Sequence, residues 1–157
     1  DMIILERIGI KNVDVGNGKE NVLRLFRIAS EGCFIIDGND QGFTVITSGL
    51  NGTRDPPVLS IGNKKLIIIG DPNNDFKGSI ETVLLKLLNE HDERVDNFLS
   101  GVKLTASQRD KVELLLLTFL KSGDYQVFFS IERFASKLFE IIGEDKIREE
   151  LRKFKII

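Results

Sequence analysis

The chain has 157 residues, 41% of them hydrophobic, with 22 basic and 24 acidic side chains and a formal net charge of −2. That length suits one domain with a real core and excludes a disordered chain, while the near balance of charge gives no general electrostatic drive toward nucleic acid. A single cysteine, Cys33, excludes an internal disulfide and a thiolate zinc site, and a single histidine, His91, excludes a histidine cluster. No apolar run approaches the roughly 18 residues of a membrane span, and the start carries no secretory pattern, so a cytoplasmic protein is the default expectation.

In chain order, residues 2–10 read in two ways. Met2-Ile3-Ile4-Leu5 can be a strand ending at Glu6, or Ile4, Leu5, Ile8 and Ile10 can belong to a helix stopped by Gly9. Val13-Asp14-Val15 reads as a short strand before a Gly16-Asn17-Gly18 turn. Residues 19–29 are helical in pattern, with Val22, Leu23, Phe26 and Ile28 or Ala29 close to one face. Residues 33–36 form a short apolar run that suits a buried strand. Residues 41–63 are the least readable: 43–49 fits a strand or a short helix, and Gly49, Asn51, Gly52, Asp55, Pro56 and Pro57 mark turns. Residues 66–69 form a second buried strand.

Ser79 reads as the N-cap of a helix carrying Ile80, Val83, Leu84, Leu87 and Leu88. A short helix over 95–102 would turn Phe98 and Leu99 inward. Thr105 or Ser107 opens a strong helix with Val112, Leu115, Leu116, Phe119 and Leu120, ended by Gly123. A further helical pattern carries Ile131, Phe134, Leu138 and Ile141 or Ile142, and the tail alternates charges on a helical period. The expected fold is a single α/β domain over 1–157, with a mostly parallel sheet between helices and a helical part from about 93 onward.

Two polar clusters follow the two buried strands. Asp37, Asn39 and Asp40 come directly after the first, and Asp71, Asn73, Asn74 and Asp75 after the second. If the strands are parallel neighbours, both clusters lie at the carboxyl edge, where open α/β sheets bind ligands. Magnesium prefers oxygen ligands and commonly takes only one or two protein carboxylates, which such turns can supply; Asp and Asn bonding their own backbone in polar turns is the plainer alternative. Gly78-Ser79-Ile80-Glu81 can offer helix N-terminal amides to an anion, and Lys19 can reach a phosphate at the same edge. Equally, Glu81 can simply balance the helix dipole and Lys19 can be an exposed turn residue. Cys33 is expected in the core and His91 in an exposed segment; with one histidine there is no support for a hydrolase triad.

The run Phe34-Ile35-Ile36-Asp37-Gly38-Asn39-Asp40 resembles the strand and aspartate-x-aspartate motif of TOPRIM (topoisomerase–primase) domains. Ile67-Ile68-Ile69-Gly70-Asp71-Pro72-Asn73-Asn74, followed by Gly78-Ser79-Ile80-Glu81, is similar to the corresponding stretch of stand-alone TOPRIM-like proteins of prokaryotes, and Val13-Asp14-Val15 with Gly18-Lys19 fits their second strand and turn. The resemblance covers roughly residues 1–90. It implies a three-layer α/β/α, Rossmann-like domain that holds Mg²⁺ through Asp37, Asn39 or Asp40, and Asp71. It also implies phosphoryl transfer or nucleic-acid cleavage assisted by a glutamate at the end of a first strand. Asn39 stands where the motif has its second aspartate, with Asp40 adjacent. The glutamate has Glu6 as its one candidate within the chain; the preferred reading makes 1–10 a helix and puts the strand with its glutamate upstream of Asp1. The reading of another class is a non-catalytic module that uses the same fold to bind protein or nucleic acid.

Overall fold

The computed structural model describes residues 2–10, 16 and 18–156, so the strand expected at 13–15 and the centre of the following turn lie outside the described residues. The chain is mixed α/β and divides into two compact units, one of Asp14–Ile80 with Leu151–Ile157 and the other of Asp1–Val13 with Glu81–Glu150.

The first of these contains the sheet. Helix α2 (Lys19–Ile28) turns Leu23 and Phe26 inward. The Lys64 ammonium meets the orphan carbonyls at its end, donating to the Phe26 oxygen at 2.6 Å and the Arg27 oxygen at 3.2 Å, and lies 4.7 Å from the Phe26 ring centre. Strand β1 (Glu31–Asp37) follows, then the short helix α3 (Gly42–Thr47), which resolves the open reading of 43–49 in favour of a helix. Strands β2 (Thr53–Asp55), β3 (Val58–Ile61) and β4 (Asn63–Ile69) complete a four-stranded sheet of order β1-β4-β3-β2.

Of its three pairings, β1 with β4 is parallel, whereas β4 with β3 and β3 with β2 are antiparallel. The expected mostly parallel sheet is therefore corrected to a mostly antiparallel one. The cause is connection length. Asp55 faces Val58 across Pro56-Pro57, and Ile61 faces Lys64 across Gly62-Asn63; two-residue links join only antiparallel neighbours. Gly62 supplies the positive φ, 59°, that the second link requires.

One face of this sheet closes on a core of Leu23, Phe26, Ile36, Phe43, Ile46, Leu59, Leu66 and Ile68, all buried. The alternation of Leu66 and Ile68 within β4 is the period-two signature of a strand turning one side chain in two to a core. Ile67 and Ile69 are buried as well, so the run that reads as a fully buried strand is one. Cys33, expected in the core, is exposed instead, because the first three residues of β1 all lie at the surface.

The other unit is helical among its described residues. Met2–Arg7 forms α1, so the helical reading of this segment holds, and Glu6 is an exposed helical residue rather than the end of a strand. Helix α4 (Ile80–Leu88) buries Val83, Leu84 and Leu88. Helix α5 (Glu93–Ser100) is capped by Asp92, whose carboxylate accepts from the Arg94 amide at 2.8 Å; it buries Val95 and Leu99, four residues apart, and leaves Phe98 54% exposed. Phe98 is thus not inward: one position from Leu99 on a helix is a rotation off the buried stripe. Helix α6 (Ala106–Ser122) opens with a reciprocal capping box. The Thr105 hydroxyl accepts from the Gln108 amide at 3.2 Å, and the Gln108 side chain accepts from the Thr105 amide at 3.1 Å. It ends at Gly123 with φ 70°. Helix α7 (Ile131–Ile142) buries Ala135, Leu138, Phe139 and Ile142, while Ile131, expected on the inward stripe, is 72% exposed at the first position of the helix. Helix α8 (Glu144–Arg152) closes the series, with the Arg148 guanidinium donating to the Ile8 carbonyl at 2.6 Å.

Candidate functional site

The two acidic turns do meet at one sheet edge. The register of the parallel pair sets Asp37 opposite Ile69, and the next amide, Gly38, donates to the Ile69 carbonyl at 2.9 Å. Both chains then leave the sheet in the same place. Residues 71–78 form a strap with its own neck: the Asp71 amide donates to the Lys77 carbonyl at 2.7 Å. The strap is tied to the β1 exit by reciprocal bonds of 2.7 Å between the backbones of Asn39 and Gly78.

The strap comes unusually close. A methyl group built on Gly38 would fall 1.7 Å from the Phe76 carbonyl oxygen, and one on Gly70 would fall 2.0 Å from the same atom. Only hydrogen fits at either position. A methyl on Gly42 would lie 2.6 Å from the Asp75 carbonyl, and φ there is 79°. The Phe76 ring packs edge-on against Phe43 and Phe154, with centroids 6.3 and 5.9 Å away, and joins the rim of the core cluster. Asp75 serves α3 as a cap supplied from 31 residues away. Its carboxylate accepts from the Thr44 amide at 3.1 Å and the Thr44 hydroxyl at 3.0 Å, and its carbonyl accepts from the Phe43 amide at 2.7 Å. Asp75 and Phe76 sit at φ 50° and 60°, as does Asn39 at 48°. For residues with a Cβ, the left-handed conformation costs about 1–2 kcal/mol each, so the packing and capping bonds must offset it.

The individual residues divide by what they already do. The Asp71 carboxylate accepts from the Asn73 amide at 2.9 Å, the polar-turn role that competes with a ligand role. Asp37 is half-buried and Asp40 exposed, at the tip of the turn. Lys19, the first residue of α2, donates to the Gln41 side chain and so stands at the same turn. Gly78 is paired with Asn39, and Ser79 is buried immediately before α4. Glu81 is half-buried in the first turn of α4 and belongs to the helical unit. Asp37, Asn39, Asp40, Asp71, Lys19 and Gly78 are thereby gathered around one pair of strand ends. An oxygen-rich set with waters suits magnesium in kind.

A second cluster escaped the sequence pattern. Among the described residues, the His/Cys/Asp/Glu side chains whose ligand atoms all come within 4.8 Å of one another as a group of three are His91, Asp96 and Glu113. They come from the segment before α5, from α5 and from α6, so no periodic spacing announces them. The imidazole is 84% exposed and its Nε2 lies 3.7 Å from an Asp96 oxygen. Partial burial pushes the Glu113 carboxyl up, and the charges of Asp110 and Asp96 add to this against the opposing pull of Arg109 and His91. Elsewhere in this unit the Arg94 side chain, bonded to the Asp92 carboxylate, holds it down at about 2.

No family model, no curated protein and no solved structure matches the chain. Among the described residues, no helix is long and apolar enough to cross a membrane.

Two outcomes follow from this geometry. Gly38→Ala forces a methyl into the Phe76 carbonyl and lowers the unfolding free energy by about 3 kcal/mol, whereas Gly49→Ala, whose methyl meets nothing within 4 Å at φ 79°, costs about 1 kcal/mol; urea denaturation of both measures the difference, and equal losses would contradict the close approach. Glu113 has its folded pKa raised, so its unfolded form ionises first and stability falls as pH climbs from about 4.5 through the folded value. Glu113→Gln cannot ionise, so its urea midpoint gains on the wild type as pH rises above about 4.5; a constant difference would show that the burial is not felt.

Proposed function

We propose that the sheet-containing unit is a TOPRIM-like divalent-cation module, with Mg²⁺ held by Asp37 and Asp40 and with Asn39 and Asp71 at the same edge. The observation that carries this reading is the parallel pairing of β1 with β4, which supports a shared carboxyl edge for Asp37 and Asp71. A bound magnesium would supply charge stabilisation to a phosphate. The chain's own residues have simpler tasks. Lys19, at the Gln41 side of the turn, attracts an anionic substrate to the edge. Ser79, immediately before α4, is the candidate contact for a phosphate oxygen, since the Gly78 amide is already bonded to the Asn39 carbonyl. The substrate class is a phosphodiester, with nucleic acid as the partner and phosphoryl transfer or strand cleavage as the reaction. The finer Rossmann-like, three-layer arrangement belongs to this proposal.

A non-catalytic protein- or nucleic-acid-binding module is the second reading, and specific observations favour it. The Asp71 carboxylate is engaged by its own loop, Asn39 replaces an acid, and Glu6, on a helix, leaves the family's catalytic glutamate without a candidate among the described residues.

Isothermal titration with magnesium separates the two. The metal reading expects binding at millimolar magnesium that weakens at least about tenfold in Asp37→Ala. Absence of binding by the wild type at that concentration would leave the non-catalytic reading standing.

A further inference from the structure

The strap at 71–78 lies on the strand ends that the proposed cation must reach. It is held there by a small number of interactions of one kind each: the Phe76 ring between Phe43 and Phe154, the Asp75 cap on α3, and the backbone pair Asn39–Gly78. Against these stand two consecutive non-glycine residues, Asp75 and Phe76, in the left-handed region, one of them aromatic. Bulky residues are outliers there, and such strain persists only while surrounding contacts over-determine it. The strap's neck, Asp71 to Lys77, is closed by its own backbone bond, so the segment can move as a unit without unravelling β4. The glycines beneath it, Gly38 and Gly70, present no side chain that would hold it down by interlocking.

We propose that residues 71–78 form a lid over the strand exits at Gly38 and Gly70, with the Phe76 ring as its latch. In the closed position Phe76 is seated, Asp75 caps α3, and the strap backbone covers Gly38 and Gly70. Lifting the ring releases Asp75 and Phe76 from the left-handed region, withdraws the cap from Thr44 and uncovers the backbone of Gly38, next to the half-buried Asp37. That the uncovered edge then takes a cation rests on the magnesium reading above; the motion itself does not.

Amide hydrogen exchange reads the motion directly. The Phe43 and Thr44 amides donate to Asp75, and so lose their partner when the lid lifts, while the Ile68 amide donates to Pro57 within the sheet and serves as the reference. In the wild type, the Phe43 and Thr44 amides are expected to exchange at least about tenfold faster than Ile68 through local opening. Phe76→Ala should speed Phe43 and Thr44 further while leaving their ratio to Ile68 enlarged; Thr44→Val, which removes the hydroxyl bond to Asp75 but no core ring, should enlarge the Phe43-to-Ile68 ratio in the same direction and covers the case in which Phe76→Ala does not fold. If Phe43 and Thr44 exchange only with Ile68, in the wild type and in whichever variants fold, the lid is overturned. Magnesium chloride added to the wild type should accelerate Phe43 and Thr44 exchange, and Asp37→Ala should abolish that acceleration. Local opening without a magnesium response upholds the lid and removes the metal reading alone.

Discussion

The constraint on which the rest of this unit depends is the approach of the Phe76 carbonyl to two glycine α-carbons, Gly38 and Gly70, one at the exit of each parallel strand. No side chain can occupy either place. That approach lets the strap lie flat on the strand ends and brings Asp75 to the start of α3. It also delivers Phe76 to Phe43 and Phe154. The polar edge of the sheet is therefore a packed structure in its own right, and its carboxylates must be judged first by what they do for the fold.

On that basis the acids separate. Asp71 and Asp75 hold backbone amides, and each is a capping residue whatever else it does. Asp37 and Asp40 stand on the β1 side of the same edge, with Lys19 tied to the same turn through Gln41. A cation reading thus leans on two carboxylates rather than four, which is still within what magnesium ordinarily takes from a protein.

How much of this was legible in the sequence follows from which interactions are local. The apolar runs at 33–36 and 66–69 announced β1 and β4, and the caps at Thr105 and Gly123 announced α6, because burial and capping leave their marks within a few residues. Gly62-Asn63 between Val58-Leu59-Ser60-Ile61 and Leu66 is a hairpin signal, but the meander as a whole leaves no pattern because Thr53, Arg54 and Asp55 of β2 are all exposed. What the glycines at 38, 42 and 70 accommodate is, for two of them, a loop more than thirty residues away, and local spacing cannot express that. Residue type points Cys33 and Phe98 inward, and the helical period points Ile131 inward. An edge position, a one-residue rotation and a helix start turned each of them out. The His91, Asp96 and Glu113 group arises from a loop and two helices packing together, so its members share no spacing.

The proposed site for a divalent cation is the carboxyl edge of β1 and β4. Paramagnetic broadening by manganese, recorded on the assigned backbone amides, tests it most directly, because the ion marks its own position. The account predicts loss of signal centred on residues 37–41 and 70–73 at substoichiometric manganese. Broadening centred instead on His91, Asp96 and Glu113, or spread evenly over exposed acids, would contradict it.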